Sequence, residues 1–359
     1  MNNPISAALL SCKSTSLSDD EKYILSKANP LGITLFARNI SNKQQTINLI
    51  KEIKETIGRD NILICVDQEG GRVRRLHEPE FRPYSAQADI GKLPLNEAII
   101  AAKLHAELIA QDLQEIGINV NFAPVLDIAY SQTSEALRSR CFSNDLSTIS
   151  TLGNTMIQTY TDNGIIPCIK HMPGHGLATT DPHLGLPVID ITYERLKTEL
   201  QPFKYCKNSP LGMTAHILLP VIDPHNPITQ SKTGIQKLIR EDIGFDGLLI
   251  SDAIDMKALK GNVIEKALAS LGAGCDCICY CMANIDELSL LAEHCPKLSD
   301  AATEHLDKAL TILHNKKEIS DIKTKSAQYA SIMQKIIPYK ETYDATEVLH
   351  KLQKKETQC

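Results

Sequence analysis

Ile165-Ile166-Pro167-Cys168-Ile169-Lys170-His171-Met172-Pro173-Gly174-His175-Gly176 is a short apolar run that ends abruptly in charged and turn-forming residues. Such a run, bounded by glycine and proline, reads as a strand buried in a parallel sheet. The same pattern recurs along the chain. Strands are predicted at 5–12, 32–36, 62–67, 118–122, 165–170, 211–215, 247–251 and 275–281, eight in all. Between them lie amphipathic helices. At 44–57, Ile47, Ile50, Ile53 and Ile57 are spaced as a helical face and Gly58 is the stop; at 96–116, Ile100, Leu104 and Leu108 form the stripe and Gly117 closes it.

Strands alternate with helices to about Glu293, the signature of parallel βα units. Eight such units in about 290 residues fit a closed barrel better than an open doubly wound sheet. No phosphate-binding glycine fingerprint opens the chain in favour of the open sheet. The expected fold class is therefore α/β, a single (β/α)8 TIM-type barrel over 1–295. Residues 296–359 read as a short C-terminal helical extension packed on its outside. Ala302, Leu306, Leu310 and Leu313 form the apolar stripe of that extension, and its Lys-, Glu- and Gln-rich end is expected to fray.

Composition excludes several function classes. With 38 Lys and Arg against 43 Asp and Glu, the net charge of -5 offers no basic footprint, so no nucleic acid and no anionic membrane is an expected partner. No apolar run reaches the roughly 20 residues a membrane helix needs, and the N-terminus lacks the basic start of a signal peptide. Leu9-Leu10-Ser11-Cys12 resembles a lipoprotein cleavage site, but no Lys or Arg precedes it. The eleven cysteines then point to reduced thiols in a cytoplasm. Cys275, Cys277, Cys279 and Cys281 share one strand face, where side chains two apart stand about 7 Å from each other. That is too far for one tetrahedral metal or a disulfide, so these residues are expected to be small apolar fillers.

Active sites of such barrels lie at the C-terminal ends of the strands. Four runs end in groups suited to chemistry: Asp67-Gln68-Glu69-Gly70-Gly71-Arg72, Lys170 to Gly176, Ala215-His216 and Ser251-Asp252-Ala253. Widely separated in sequence, they converge only if the barrel closes. At these residues the chain resembles the family 3 glycoside hydrolases, specifically their single-domain N-acetyl-β-glucosaminidases. Three motifs occur in the family's order, Asp-Gln-Glu-Gly-Gly-Arg at 67–72, Lys-His-Met-Pro-Gly-His-Gly at 170–176 and Ser-Asp-Ala-Ile-Asp-Met at 251–256. The likeness extends from about Ser14 to Gly274.

The resemblance implies a nucleophile at Asp252, which would form a covalent glycosyl-enzyme and retain the β configuration. Read alone, Asp252 would cap a helix starting near Met256. Asp181-Pro182-His183 matches the acid/base dyad of the family's N-acetylglucosaminidases, with Pro182 in place of the usual serine. His183 would be the acid/base, and Asp181 would fix its tautomer and raise its pKa. Carried over for substrate binding are Asp67, Arg75, Arg140, Lys170 and His171. Leu137-Arg138-Ser139 departs from the usual Gly-Asp before the arginine, which leaves Arg138 as an alternative. Asp127, Arg38 and His216 are candidates for lining the pocket or for ordinary structural pairing.

The closeness of His171, His175 and His183 raises a metal reading. Their spacing is not that of a helix-borne zinc site, and glycosyl transfer through a carboxylate needs neither metal nor cofactor. The expected partner is a small carbohydrate or muropeptide, GlcNAc-1,6-anhydro-N-acetylmuramic acid fragments, handled by a cytoplasmic monomer. Rival readings are another family 3 β-glycosidase, a phosphorylase delivering the sugar to phosphate, and a non-catalytic sugar-binding protein.

Overall fold

The computed structural model describes residues 4–340. Its eight strands are β1 Ser6–Ser11, β2 Pro30–Leu35, β3 Leu63–Val66, β4 Val120–Asn121, β5 Ile166–Met172, β6 Leu211–Thr214, β7 Leu248–Ala253 and β8 Cys277–Cys279. They pair in parallel in chain order and close, Ala8 of β1 pairing with Ile278 of β8. The fold is the expected (β/α)8 barrel. Nearly every strand residue is buried, because the sheet is covered by helices outside and filled by side chains within. Leu9-Leu10-Ser11-Cys12 runs through β1, so cleavage before Cys12 would remove a barrel strand.

The helices are α1 Asp19–Ala28, α2 Lys43–Ile57, α3 Leu95–Ile116, α4 Leu146–Asp162, α5 Tyr193–Tyr205, α6 Val263–Ala273, α7 Ile285–His294, α8 Asp300–Leu310 and α9 Ile322–Met333. A π-helical segment, Ile235–Ile243, fills the helix position before β7. Gly58 and Gly117 cap α2 and α3 as expected, at φ 78° and 88°. Those left-handed values disfavour any residue with a Cβ.

The stripes need correcting. Ile47 and Ile100 face solvent, at 37% and 43% exposure, and α2 buries Thr46, Leu49, Ile50 and Ile53 instead. Isoleucines three apart drift about 60° per step around a helix of 3.6 residues per turn, so Ile47, Ile50 and Ile53 cannot all face inward. In the C-terminal part Ala302 and Leu306 are buried as expected, but they are joined by Ala309 and Ile312, while Leu310 and Leu313 are only half-buried. A tighter 3-10 turn, Thr311–Asn315, rotates the face there. α9 packs against α3. The charged end beyond residue 340 lies outside the described residues. No helix among those described is long and apolar enough to cross a membrane.

The cysteine expectation also fails in part. β8 covers only Cys277–Cys279, so the chain has left the strand by Cys281, and the sulfurs of Cys279 and Cys281 lie 3.6 Å apart.

Candidate active site

At the C-terminal mouth of the barrel lies a cavity of about 480 Å3, within the range of small-molecule sites. Asp67, Arg75, Arg140, Lys170, His171, Asp181, His183 and Asp252 all line it. The structure thus brings these eight residues, which follow or end β3, β4, β5 and β7, into one pocket, with Phe36, Phe122, Met213 and Met256 as apolar walls.

The floor is a buried network of charges. Lys170, 1% exposed, places Nζ 2.8 Å from Asp67 Oδ1 and 2.6 Å from Glu69 Oε1. Arg140 donates to both oxygens of Glu69, Nε to Oε2 at 2.9 Å and Nη2 to Oε1 at 2.8 Å. Arg75 reaches Asp67 Oδ2 at 3.2 Å. Three cations surround two carboxylates, and each charge has its counterpart, as burial demands. Burial alone would raise both carboxyls, but the Lys170 and Arg75 charges hold Asp67 well below the carboxylate range. Arg140 and Lys170 bring Glu69 down to about 2. Gln68 fastens the loop, its Oε1 accepting from the backbone N–H of Arg75 at 2.9 Å and of Leu76 at 3.1 Å.

On the loop after β4, Asp127 accepts from His171 Nδ1 at 2.7 Å and from the His175 backbone N–H at 2.6 Å. A carboxylate only accepts, so His171 carries its proton on Nδ1. At the end of β7, Asp252 accepts from its neighbour's N–H, Ala253, at 2.8 Å. No helix starts near Met256; the next helix, α6, is capped by Asn262, which removes the capping role for Asp252. Burial opposes its ionisation, but the facing His171 and His216 and the Ala253 N–H hold its carboxyl below the usual value. On the loop after β5, His183 donates Nδ1 to Asp181 Oδ1 at 2.7 Å. Burial would lower the imidazole pKa, but that hydrogen bond and the Asp181 charge prevail and raise it.

Residues 7–315 match the family model described as the glycosyl hydrolase family 3 N terminal domain. The chain belongs to glycoside hydrolase family 3. It is 32% identical over 296 residues to a β-hexosaminidase of Bordetella pertussis, covering 79% of this chain and 83% of that one. Its fold superposes with a TM-score of 0.82 on NagZ from Neisseria gonorrhoeae in complex with N-trifluoroacetyl-D-glucosamine, at 27% identity over 92% of this chain and 98% of that one. A family 3 β-N-acetylglucosaminidase from Paenibacillus gives a TM-score of 0.78 at 26% identity, covering 95% of this chain and 70% of that one.

Arg138 does not line the cavity and donates to the carbonyls of Ser131 and Thr133, whereas Arg140 lines it. His216 is a structural group, bonded to Thr229 and to the Ala253 carbonyl. Arg38 lines the pocket, and Asp127 supports His171 from behind. Among the described residues no three His, Cys, Asp or Glu side chains are grouped to hold a metal ion.

Sequence reasoning missed Glu69 and His175 as parts of the site. Glu69 sits inside a motif quoted for Asp67, but only the fold reveals that it clamps Lys170 and Arg140. His175 lines the pocket with neither ring nitrogen paired among the described residues. Burial pushes its pKa down to about 4, so at neutral pH it offers one N–H and one lone pair.

Proposed function

We propose that the chain is a retaining exo-β-N-acetylglucosaminidase that removes non-reducing terminal GlcNAc through a covalent glycosyl-aspartate on Asp252. The observation that carries this reading is a half-buried Asp252, its carboxyl held below the usual value, sharing one pocket with the His183–Asp181 pair. Asp252 attacks the anomeric carbon while the protonated imidazole of His183 gives its Nε2 proton to the departing sugar oxygen. Neutral His183 then takes a proton from water, the water oxygen bonds to the anomeric carbon and Asp252 leaves. Two inversions give net retention. Asp67, Arg75, Arg140, Lys170 and His171 supply charged hydrogen-bonding groups for the sugar hydroxyls and the N-acetyl carbonyl. The β-hexosaminidase relatives and a neighbour binding an N-acylglucosamine support the substrate class.

The natural substrate in this reading is GlcNAc-1,6-anhydro-N-acetylmuramic acid, recycled from the cell wall in the cytoplasm by a monomer. The decisive experiment compares 4-nitrophenyl N-acetyl-β-glucosaminide with the β-glucoside and follows the product by NMR. β-GlcNAc should appear first. Equal turnover of both substrates, or α product first, would overturn the reading. A histidine acid/base repels phosphate less than a carboxylate would, so the assay is repeated with phosphate. GlcNAc-1-phosphate as the main product would reassign the enzyme as a phosphorylase.

A further inference from the structure

Cys279 and Cys281 form a pair in the pocket wall that glycosyl transfer leaves without a role. Their sulfurs are 3.6 Å apart, and both residues line the cavity. Cys279 is buried, while Cys281 is partly exposed. The segment carrying them is stitched to the one carrying Asp252. Cys279 N–H donates to Ser251 Oγ at 3.0 Å, its carbonyl accepts from Ile254 N–H at 2.9 Å, and Cys281 N–H donates to Asp255 Oδ1 at 2.8 Å. Arg38 Nη2 donates to the Cys281 carbonyl at 2.6 Å.

We propose that Cys279 and Cys281 are a peroxide-oxidisable dithiol that reversibly switches the pocket off. This rests on the pocket being the active site. Cys281, the more exposed, attacks one oxygen of hydrogen peroxide as its thiolate; the O–O bond breaks, hydroxide leaves and is protonated to water, and a sulfenic acid remains. The Cys279 sulfur then attacks the Cys281 sulfur, the S–O bond breaks and a second water leaves. Two thiols lose two hydrogens and two electrons, and one peroxide becomes two waters. An S–S bond of about 2.05 Å requires the sulfurs to close by about 1.5 Å. That movement is transmitted through the three backbone hydrogen bonds to Ser251, Ile254 and Asp255, on either side of the nucleophile.

The contact between the two sulfurs and burial hold the Cys281 thiol well above its ordinary range. Thiolate is therefore scarce at neutral pH, and oxidation should quicken as pH rises.

The test treats the full chain with hydrogen peroxide, alkylates the remaining thiols and maps disulfides by mass spectrometry. In parallel it measures turnover of whichever nitrophenyl glycoside the untreated protein hydrolyses. The expected result is a 279–281 peptide lighter by two hydrogens. Activity should fall on the order of tenfold or more, since a misplacement of about 1 Å can cost a hundredfold. Dithiothreitol should restore it. Cys279→Ser and Cys281→Ser, each compared with its own untreated activity, should resist. Absence of the disulfide, its formation with activity retained, or equal loss in both variants would overturn the switch. Because the disulfide is read by mass and activity is first established on untreated protein, failure of the switch is distinguishable from failure of the glycosidase reading.

Discussion

Asp181 Oδ1 accepts twice from His183, from the ring Nδ1 at 2.7 Å and from the backbone N–H at 3.0 Å. The two hydrogen bonds to one oxygen fix the ring's tautomer and orientation together, leaving Nε2 to exchange the proton.

The pH dependence of kcat/KM follows from this pairing. Glycosylation needs Asp252 ionised and His183 protonated; the first pKa lies below and the second above its ordinary value. The rate should hold between them and fall as pH rises through the His183 value. In Asp181→Ala burial remains and the lifting charge is gone, so the alkaline limb should move down, below about 6.5. A pH profile whose alkaline limb stays in place would remove Asp181 from the dyad.

Glu69 accepts from Arg140 and Lys170 in a place shut off from water. Glu69→Gln keeps the shape but removes the carboxylate that Arg140 pairs with and leaves buried Lys170 with Asp67 alone. Breaking a buried ion pair costs roughly 3 to 5 kcal/mol, so a stability loss of that size is expected in urea unfolding, with a higher KM. An unchanged midpoint would mean that the network is dispensable.

A relay ties the C-terminal helix to the site. Ser85 N–H donates to Tyr329 Oη at 3.2 Å, His105 Nδ1 lies 2.9 Å from that oxygen, and His105 Nε2 lies 2.9 Å from the Glu69 carbonyl. The carbonyl only accepts, so Nε2 carries the proton and Nδ1 accepts from Tyr329. Tyr329→Phe strands a buried N–H and a buried ring nitrogen, at a cost of about 1 to 3 kcal/mol. Denaturant curves matching wild type within about 0.5 kcal/mol would show that α9 does not brace the site.

The barrel was legible because strand runs and polar strand ends repeat with a fixed rhythm, and Asp67, Lys170 and Asp252 fall at the ends that face the pocket. Pairings were not legible. The contact between Glu69 and Arg140 spans 71 residues, and nothing local to either announces it. Ile47 was misplaced because steps of three fall about 60° short of a full turn and Ile100 because steps of four overshoot it by about 40°, so each row mimics a helical stripe without matching its period. At Cys281 the strand was assumed to continue, and a change of backbone direction after Cys279 is invisible in a run of alternating cysteines.

Asp252→Ala should leave the fold intact, since among the described residues its carboxylate accepts a hydrogen bond only from the next residue's N–H. Losing covalent catalysis should lower kcat by far more than tenfold. Activity retained within about tenfold, with an unchanged melting curve, would dismiss it as the nucleophile.

His183 separates acid catalysis from binding through the choice of leaving group. An alkoxide from a natural sugar needs protonation as the bond breaks, whereas 4-nitrophenolate leaves almost unaided. His183→Ala should therefore damage kcat/KM for the natural disaccharide much more than for the nitrophenyl glycoside, by a factor on the order of a hundred, the usual scale of general acid catalysis. If His183 only gripped the sugar, both substrates would weaken alike, because they share that sugar. The measurement is the ratio of the two losses. A ratio near one, with the fold shown intact by its melting curve, would end the assignment of His183 as proton donor and leave the Asp181 pairing as a structural turn.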